Sequence, residues 1–267
     1  MTQRPDDPMH GTSLARLGAG LLAAAMLAGA PATIHAAGAK AASEQPAEHA
    51  ANAVVVDDDT ARALRHLGVH RPEAESSHAE GGLLAIAKRE AAIADRHLVL
   101  AEEATDRFAL ERHLAQAMHA LNPAAVPDGP GLGYGLVRAA RDGTAEAYRL
   151  GLMAAPGTAL DGTAARIATA FTNLATWGRD AAILARQAGD APTLDQGKRV
   201  LERLRRLTSA MIDGRDADGD GTVEASFGEA GLEQAQAAFA AALEARGLSR
   251  DMLGRVETQE QQTQEGG

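Results

Sequence analysis

The chain has 267 residues, a formal net charge of −10 and no cysteine. Without cysteine it can form no disulfide, no iron–sulfur cluster and no covalently attached haem. Its acidic balance, with no basic stripe interleaved with aromatic residues, argues against nucleic acid as a partner. Apolar residues make up 45% of the chain, yet only four Phe, two Tyr and one Trp are present. Alanine and leucine supply the apolar content, so we predict an all-α fold.

The N-terminal segment has the pattern of an export signal. An uncharged apolar run from Leu17 to Ala30 follows Arg16 and precedes small residues, and cleavage after Ala36 or Ala39 would suit this pattern. The run is too short to cross a bilayer comfortably. We therefore expect residues 1–36 to be a signal peptide and the protein to be periplasmic or secreted, with no membrane span after cleavage. An uncleaved anchor is the alternative.

Residues 37–81 are expected to form a linker that is alanine-rich at first and includes one short helix. Asp57 to Asp59 would cap this helix, which stops before Pro72. At the other end of the chain, residues 248–267 are predicted to be a disordered tail because their composition is polar from about Glu257 onwards.

Residues 82–188 show the apolar periodicity of helices rather than the alternation of strands. Four helical segments are predicted, at 82–104, 105–121, 134–154 and 163–188. A weak internal similarity appears when the chain is shifted by about 53 positions, although alanine-rich helices also match one another by chance. The interpretation is two helical hairpins, each with an apolar stripe, that pack together as a four-helix bundle.

The first hairpin contains residues that could form a transition-metal site. Glu90 and His97 share the apolar face of the first helix, and His113 lies at the border of the stripe on the second helix. The two histidines lie at similar distances from the turn between the helices, one on each helix, so their side chains can face each other across the hairpin. A carboxylate and two imidazoles inside a helical bundle suit a transition metal. The structural alternative is a pair of ordinary histidines at the edge of the core.

The segment 193–247 predicts two helices, 193–214 and 229–247, that flank an acidic loop. In this loop Asp216, Asp218 and Asp220 alternate with small residues and run into Gly221. Alternating carboxylates direct several oxygens inward, which suits a hard cation such as Ca²⁺. The alternative is an ordinary connection rich in turn-forming Asp and Gly, but mutual repulsion among three carboxylates favours a bound cation.

The stretch Asp216 to Val223 resembles the first eight positions of the EF-hand calcium loop, with Gly221 sixth and Thr222 seventh. The resemblance covers about residues 200–245. It implies that the aspartates are ligands, that Thr222 contributes its backbone carbonyl and that Val223 ties the loop to the core.

The loop departs from that family at the twelfth position, where Phe227 replaces the expected glutamate. Glu224, at the ninth position, would bind directly or through water. We expect a lengthened loop in which Glu229 begins the exit helix and completes the coordination. An affinity of about 10⁻⁴–10⁻³ M fits such an imperfect extracytoplasmic site.

The sequence thus predicts a non-catalytic, extracytoplasmic calcium-binding protein in which Ca²⁺ orders residues 216–229. No catalytic constellation is recognisable. One alternative is a transition-metal or redox-associated protein that uses Glu90, His97 and His113. Another is a module that binds a protein partner and uses calcium only for stability.

Overall fold

The computed structural model describes residues 58–69 and 81–253. These residues are all-helical and contain no strand, as the composition predicts. A final helical turn at 250–253 follows seven longer helices. The seven are α1 (Asp58–Gly68), α2 (Leu83–Glu102), α3 (Arg107–Leu121), α4 (Leu136–Met153), α5 (Ala159–Gly189), α6 (Leu194–Asp213) and α7 (Leu232–Ala245). The predicted signal peptide (1–36) lies outside the described residues, as do most of the predicted linker and tail.

The starts of three helices follow from capping side chains. The Asp106 carboxylate accepts a hydrogen bond from the Ala109 N–H at 2.8 Å, in agreement with the predicted start of α3. Thr158 caps α5 in the same way through the Asp161 N–H. Because of this cap, α5 begins at Ala159, four residues before the start that apolar periodicity predicts. Thr193 caps α6 through the Gln196 N–H.

The long helix α5 lies at the centre of the packing. It packs against α3, α4, α6 and α7, whereas α2 packs mainly against α3, α4 and α6. Phe171 and Trp177, both on α5, are buried. A Cβ at Gly143 of α4 would lie 2.6 Å from ring atoms of Phe171, so this glycine permits the close approach of α4 to α5.

Helices α6 and α7 each pack mainly against α5 rather than against each other. Phe239 of α7 is fully buried, and its ring lies so close to Gly68 of α1 that no side chain fits there. The loop between α6 and α7 therefore connects two helices that are both held in place by packing against α5.

Candidate metal site

The α6–α7 loop is closed at its base by a hydrogen bond between its two ends. The Arg215 N–H donates to the Glu229 carbonyl at 2.9 Å. Gly214, the residue that ends α6, has φ +82°, a conformation that favours glycine. Helix α7 begins at Leu232, so the predicted start at Glu229 is three residues too early. Glu229 instead lies in the turn that precedes the helix.

Three carboxylates of the loop come together. One oxygen from each of Asp216, Asp218 and Glu229 lies within 4.8 Å of the other two. The two aspartates are exposed, but Glu229 is only 5% exposed. The arrangement thus places two acids at the surface over a third acid that is buried.

Asp216 organises the outer turn of the loop. Its two oxygens accept the N–H groups of Gly219 at 2.6 Å and Gly221 at 2.9 Å. These hydrogen bonds, that of Gly221 foremost, hold the pKa of Asp216 below its usual value of 3.8. The carboxylate is therefore charged at neutral pH and held in a fixed direction.

Glu229 ties the inner side of the loop together. Its Oε1 accepts the Ala217 N–H at 3.1 Å, and its Oε2 accepts the Glu224 N–H at 3.2 Å. A buried carboxylate requires such donors because burial without partners costs several kcal/mol. Glu229 thus fixes residues that approach it from both arms of the loop.

The remaining predicted ligands lie outside the three-carboxylate cluster. The Asp220 carboxylate instead accepts both the N–H and the hydroxyl of Thr222, at 2.8 and 2.7 Å. Glu224 is exposed, and its recorded contact with Glu229 is through its backbone N–H. Val223 is 37% exposed, so the expectation that it ties the loop to the core is wrong. Its side chain lies against Gly214 instead.

Asn173 of α5 anchors the C-terminal arm of the loop, and sequence reasoning missed it. Its side-chain NH₂ donates to the carbonyls of Ser226 and Ala230, both at 3.0 Å. Its carbonyl oxygen accepts the Gly228 N–H at 2.9 Å. Asn173 is 1% exposed, and a polar residue on the buried stripe of an apolar helix was the available signal.

Arg215, at the N-terminal end of the loop, also connects the loop to the core. Its guanidinium lies over the Trp177 ring, 5.4 Å from the centroid, and its Nε donates to the Gly228 carbonyl at 2.7 Å. Trp177 is the chain's single tryptophan. Its fluorescence therefore reports on this one place in the molecule.

The structure brings together two of the three residues of the transition-metal alternative. The Nδ1 atoms of His97 and His113 are 3.4 Å apart, and their rings stack at 24°. His113 Nδ1 also lies 3.0 Å from the amide oxygen of Gln116. Burial foremost, and then the positive charge of His113, lowers the pKa of His97. The neutral form of the His97 imidazole is therefore favoured.

Glu90 lies apart from the two histidines, so the predicted three-residue site does not form. It is fully buried beneath the α3–α4 loop. Its Oε1 accepts the N–H groups of Leu132 at 3.1 Å and Gly135 at 3.0 Å. Its Oε2 has no hydrogen-bond partner among the described residues. Burial raises the pKa of Glu90 above 4.5, while these N–H groups and His119 oppose the shift.

The chain as a whole gives no match in comparisons with protein-family models, with curated proteins or with solved structures. Among the described helices, none combines the length and the apolar character that a bilayer span requires.

Proposed function

We propose that the protein binds one calcium ion in the α6–α7 loop, in an EF-hand-like site. The observation that carries the proposal is the convergence of Asp216, Asp218 and Glu229 within 4.8 Å. Three carboxylates at this separation repel one another, and the repulsion is strongest for the one that is buried. A divalent cation would reverse the sign of that interaction.

The chemistry of the donors favours calcium over softer metals. Three carboxylates offer as many as six oxygens, and Ca²⁺ takes six to eight oxygens in flexible geometry. Neither nitrogen nor sulfur ligands lie in the cluster, so zinc and copper are disfavoured. Backbone carbonyls such as that of Thr222, and water, would complete the shell. Asp220 and Glu224 would join only if their side chains turned inward.

The packing around the loop favours a structural role for the ion over a sensory one. Both flanking helices pack against α5, and Asn173 holds the C-terminal arm of the loop to the same helix. A sensor needs two arrangements of the flanking helices that differ in exposed surface. With the helices fixed, calcium would order the loop without changing the angle between them. We retain the periplasmic or secreted location and the non-catalytic role as parts of this proposal.

The transition-metal alternative is now restricted to His97 and His113. A stable site needs at least a third ligand, and the nearest described candidate is the amide oxygen of Gln116, a poor ligand for zinc or copper. Elemental analysis of the purified protein would distinguish the two proposals, because only the histidine site would retain a stoichiometric transition metal.

Calorimetric titration of calcium into the chelator-treated protein tests the proposal. We expect one saturable site in the wild type and none in Asp216→Asn/Asp218→Asn. The matched control is Asp128→Asn, which removes an exposed carboxylate from the α3–α4 loop and should leave binding unchanged. Absence of heat up to about 10 mM calcium, above the range for weak extracellular modules, would refute the proposal.

A further inference from the structure

A groove of about 740 Å³ runs between α5 and α6 and is open to solvent. It ends at Gly214 and Arg215, where α6 gives way to the acidic loop. Its volume is within the range of 300–1,000 Å³ that is typical of ligand sites. The groove does not contain the three-carboxylate cluster, so it requires a separate explanation.

The floor of the groove is apolar. Ile183 and Leu184 line it from α5, and Leu207 and Ala210 line it from α6. Ile183 is 47% exposed, although it is a large apolar side chain. Apolar side chains that remain accessible in a concave surface gain free energy when a partner removes them from water.

The lining residues follow the same spacing on both helices. On α5 they are residues 180, 183, 184 and 187, and on α6 residues 203, 206, 207 and 210 repeat this spacing, with Ser209 as one further lining residue. This i, i+3, i+4, i+7 pattern spans two helical turns, or about 10 Å. The groove thus has one row of lining side chains from each helix, and the two rows are about equally long. A third helix can pack between two such rows.

The groove carries positive charge in a protein that is acidic overall. Arg203, Arg206 and Arg215 line it, against a single carboxylate from Asp180. Within residues 58–69 and 81–253, neither Arg203 nor Arg206 forms an ion pair. By contrast, Arg205 on the same helix lies within salt-bridge distance of Asp95 and Glu102 of α2.

We propose that this groove binds an amphipathic helix of a partner protein, with an apolar stripe flanked by acidic side chains. The net charge of −10 repels an acidic partner elsewhere, so the groove would both steer and orient its approach. The arginines are spread from Arg203, near the middle of α6, to Arg215 beyond its end. Spaced charges match several carboxylates along a peptide better than the single headgroup of a lipid.

The proposal goes beyond the calcium site and does not depend on it. The groove shares only Gly214 and Arg215, at the base of the loop, with the calcium site's surroundings, and its apolar floor belongs to α5 and α6. Peptide binding and calcium binding can therefore fail independently.

The test uses the full chain and a fluorescent synthetic helix with leucines at i, i+3, i+4 and i+7 and glutamates on both sides. We expect saturable binding by fluorescence anisotropy, with an affinity that falls as salt is added. Arg203→Glu/Arg206→Glu should weaken binding about tenfold or more, since charge reversal replaces attraction by repulsion. Ile183→Ser should weaken it by removing part of the floor.

The matched control is Lys198→Glu/Arg199→Glu, which makes the same change in net charge on α6 but outside the groove. Its binding should stay within about twofold of the wild type, because two charges away from the interface change affinity little. Circular dichroism would verify that every variant is folded.

Three results would overturn the proposal. The first is equal binding of the peptide by the Arg203→Glu/Arg206→Glu variant and the control. The second is binding to anionic phosphatidylglycerol vesicles without binding to the peptide, which would indicate a lipid surface. The third is self-association of the wild type that the groove variants abolish, which would indicate a second copy of this chain as the occupant.

Discussion

Two inter-helix loops of this protein are organised by the same device, a buried glutamate that accepts backbone N–H groups. Glu90 holds the α3–α4 loop through Leu132 and Gly135. Glu229 holds the α6–α7 loop through Ala217 and Glu224. Both glutamates are at most 5% exposed.

The surroundings of the two glutamates differ. Glu229 uses both oxygens and is joined by Asp216 and Asp218, whereas Glu90 has one oxygen without a partner among the described residues. The α6–α7 loop therefore concentrates negative charge that a cation would neutralise. The α3–α4 loop instead covers one buried acid, Glu90 of α2, that a proton can neutralise. From this difference we infer that the nearby acids decide whether a buried glutamate of this kind would favour a bound cation or a bound proton.

The largest effect is expected at Asn173, because its side chain makes three hydrogen bonds to the C-terminal arm of the α6–α7 loop. Asn173→Ala would remove three hydrogen bonds and leave the buried Ala230 carbonyl and the half-buried Gly228 N–H without this partner, whereas the Ser226 carbonyl keeps the N–H groups of Glu229 and Ala230. The expected cost is about 3 kcal/mol in the free energy of unfolding. Urea denaturation measures this loss. Thr176→Ala, which removes a local hydroxyl bond within α5, should cost less than about 1 kcal/mol. Equal losses would show that Asn173 is not an anchor.

The stabilisation of the protein by calcium should depend on Glu229 and not on Glu90. With an affinity of about 10⁻⁴–10⁻³ M, 10 mM calcium adds about 1–3 kcal/mol, which raises Tm by about 5 °C. Glu229→Gln should abolish this rise because it removes the buried charge of the cluster. Glu90→Gln should retain it. If Glu90→Gln removed the calcium response and Glu229→Gln did not, the assignment of the two loops would be reversed.

Two glycines of the α3–α4 loop test the packing against Glu90. A Cβ at Gly131 would lie 2.7 Å from Glu90 Oε2, whereas a Cβ at Gly133 would meet nothing within 4 Å. Both glycines have positive φ, so alanine is strained at each position, and more strongly at Gly131 (φ +151°) than at Gly133 (φ +72°). We expect Gly131→Ala to cost about 1 kcal/mol more than Gly133→Ala in thermal or urea unfolding. Equal costs would argue against close contact with Glu90.

The two loops should respond to pH in opposite directions, which is the smallest expected effect. Because burial raises the pKa of Glu90 above 4.5, the stability from its protonated form is present below about pH 4.5 and is lost as pH rises through the raised pKa. Because hydrogen bonds lower the pKa of Asp216 below 3.8, its contribution is present above pH 3.8 and is lost as pH falls.

Unfolding free energies of Glu90→Gln and Asp216→Asn, measured against pH beside the wild type, test this contrast. Relative to Glu90→Gln, the wild type should lose stability as pH rises from 4.5 towards neutrality, with His119 as the ionisable side chain that acts on Glu90. Relative to Asp216→Asn, the wild type should lose stability only in acid. Parallel curves for a variant and the wild type would show that its group does not titrate differently in the folded state.

The sequence predicts the helices well because their signals are local. Apolar periodicity predicts each of the helices between residues 82 and 188, and α3 begins at Arg107, two residues after the start of the predicted segment 105–121. The boundary errors also have local causes, since Thr158 starts α5 early and the turn before Gly231 delays α7.

The details of the site depend on contacts that no local pattern encodes. Asn173 bonds to residues 53 to 57 positions away, and Glu90 bonds to residues 42 and 45 positions away. The sequence places Glu90 on the buried face of α2 but gives no sign that a glycine-rich loop folds over it. It does select Glu229 as the acid that joins Asp216 and Asp218, because no other acid follows Phe227 closely.

The most direct test of the account is amide hydrogen exchange with and without calcium, read separately in the two loops. We predict that calcium slows exchange at Gly219, Gly221 and Thr222, whose N–H groups bond to the loop aspartates. Exchange at Leu132 and Gly135 should not change, since Glu90 holds them without a cation. Unchanged exchange in the α6–α7 loop, or equal slowing in both loops, would contradict the claim that the α6–α7 loop is the calcium site.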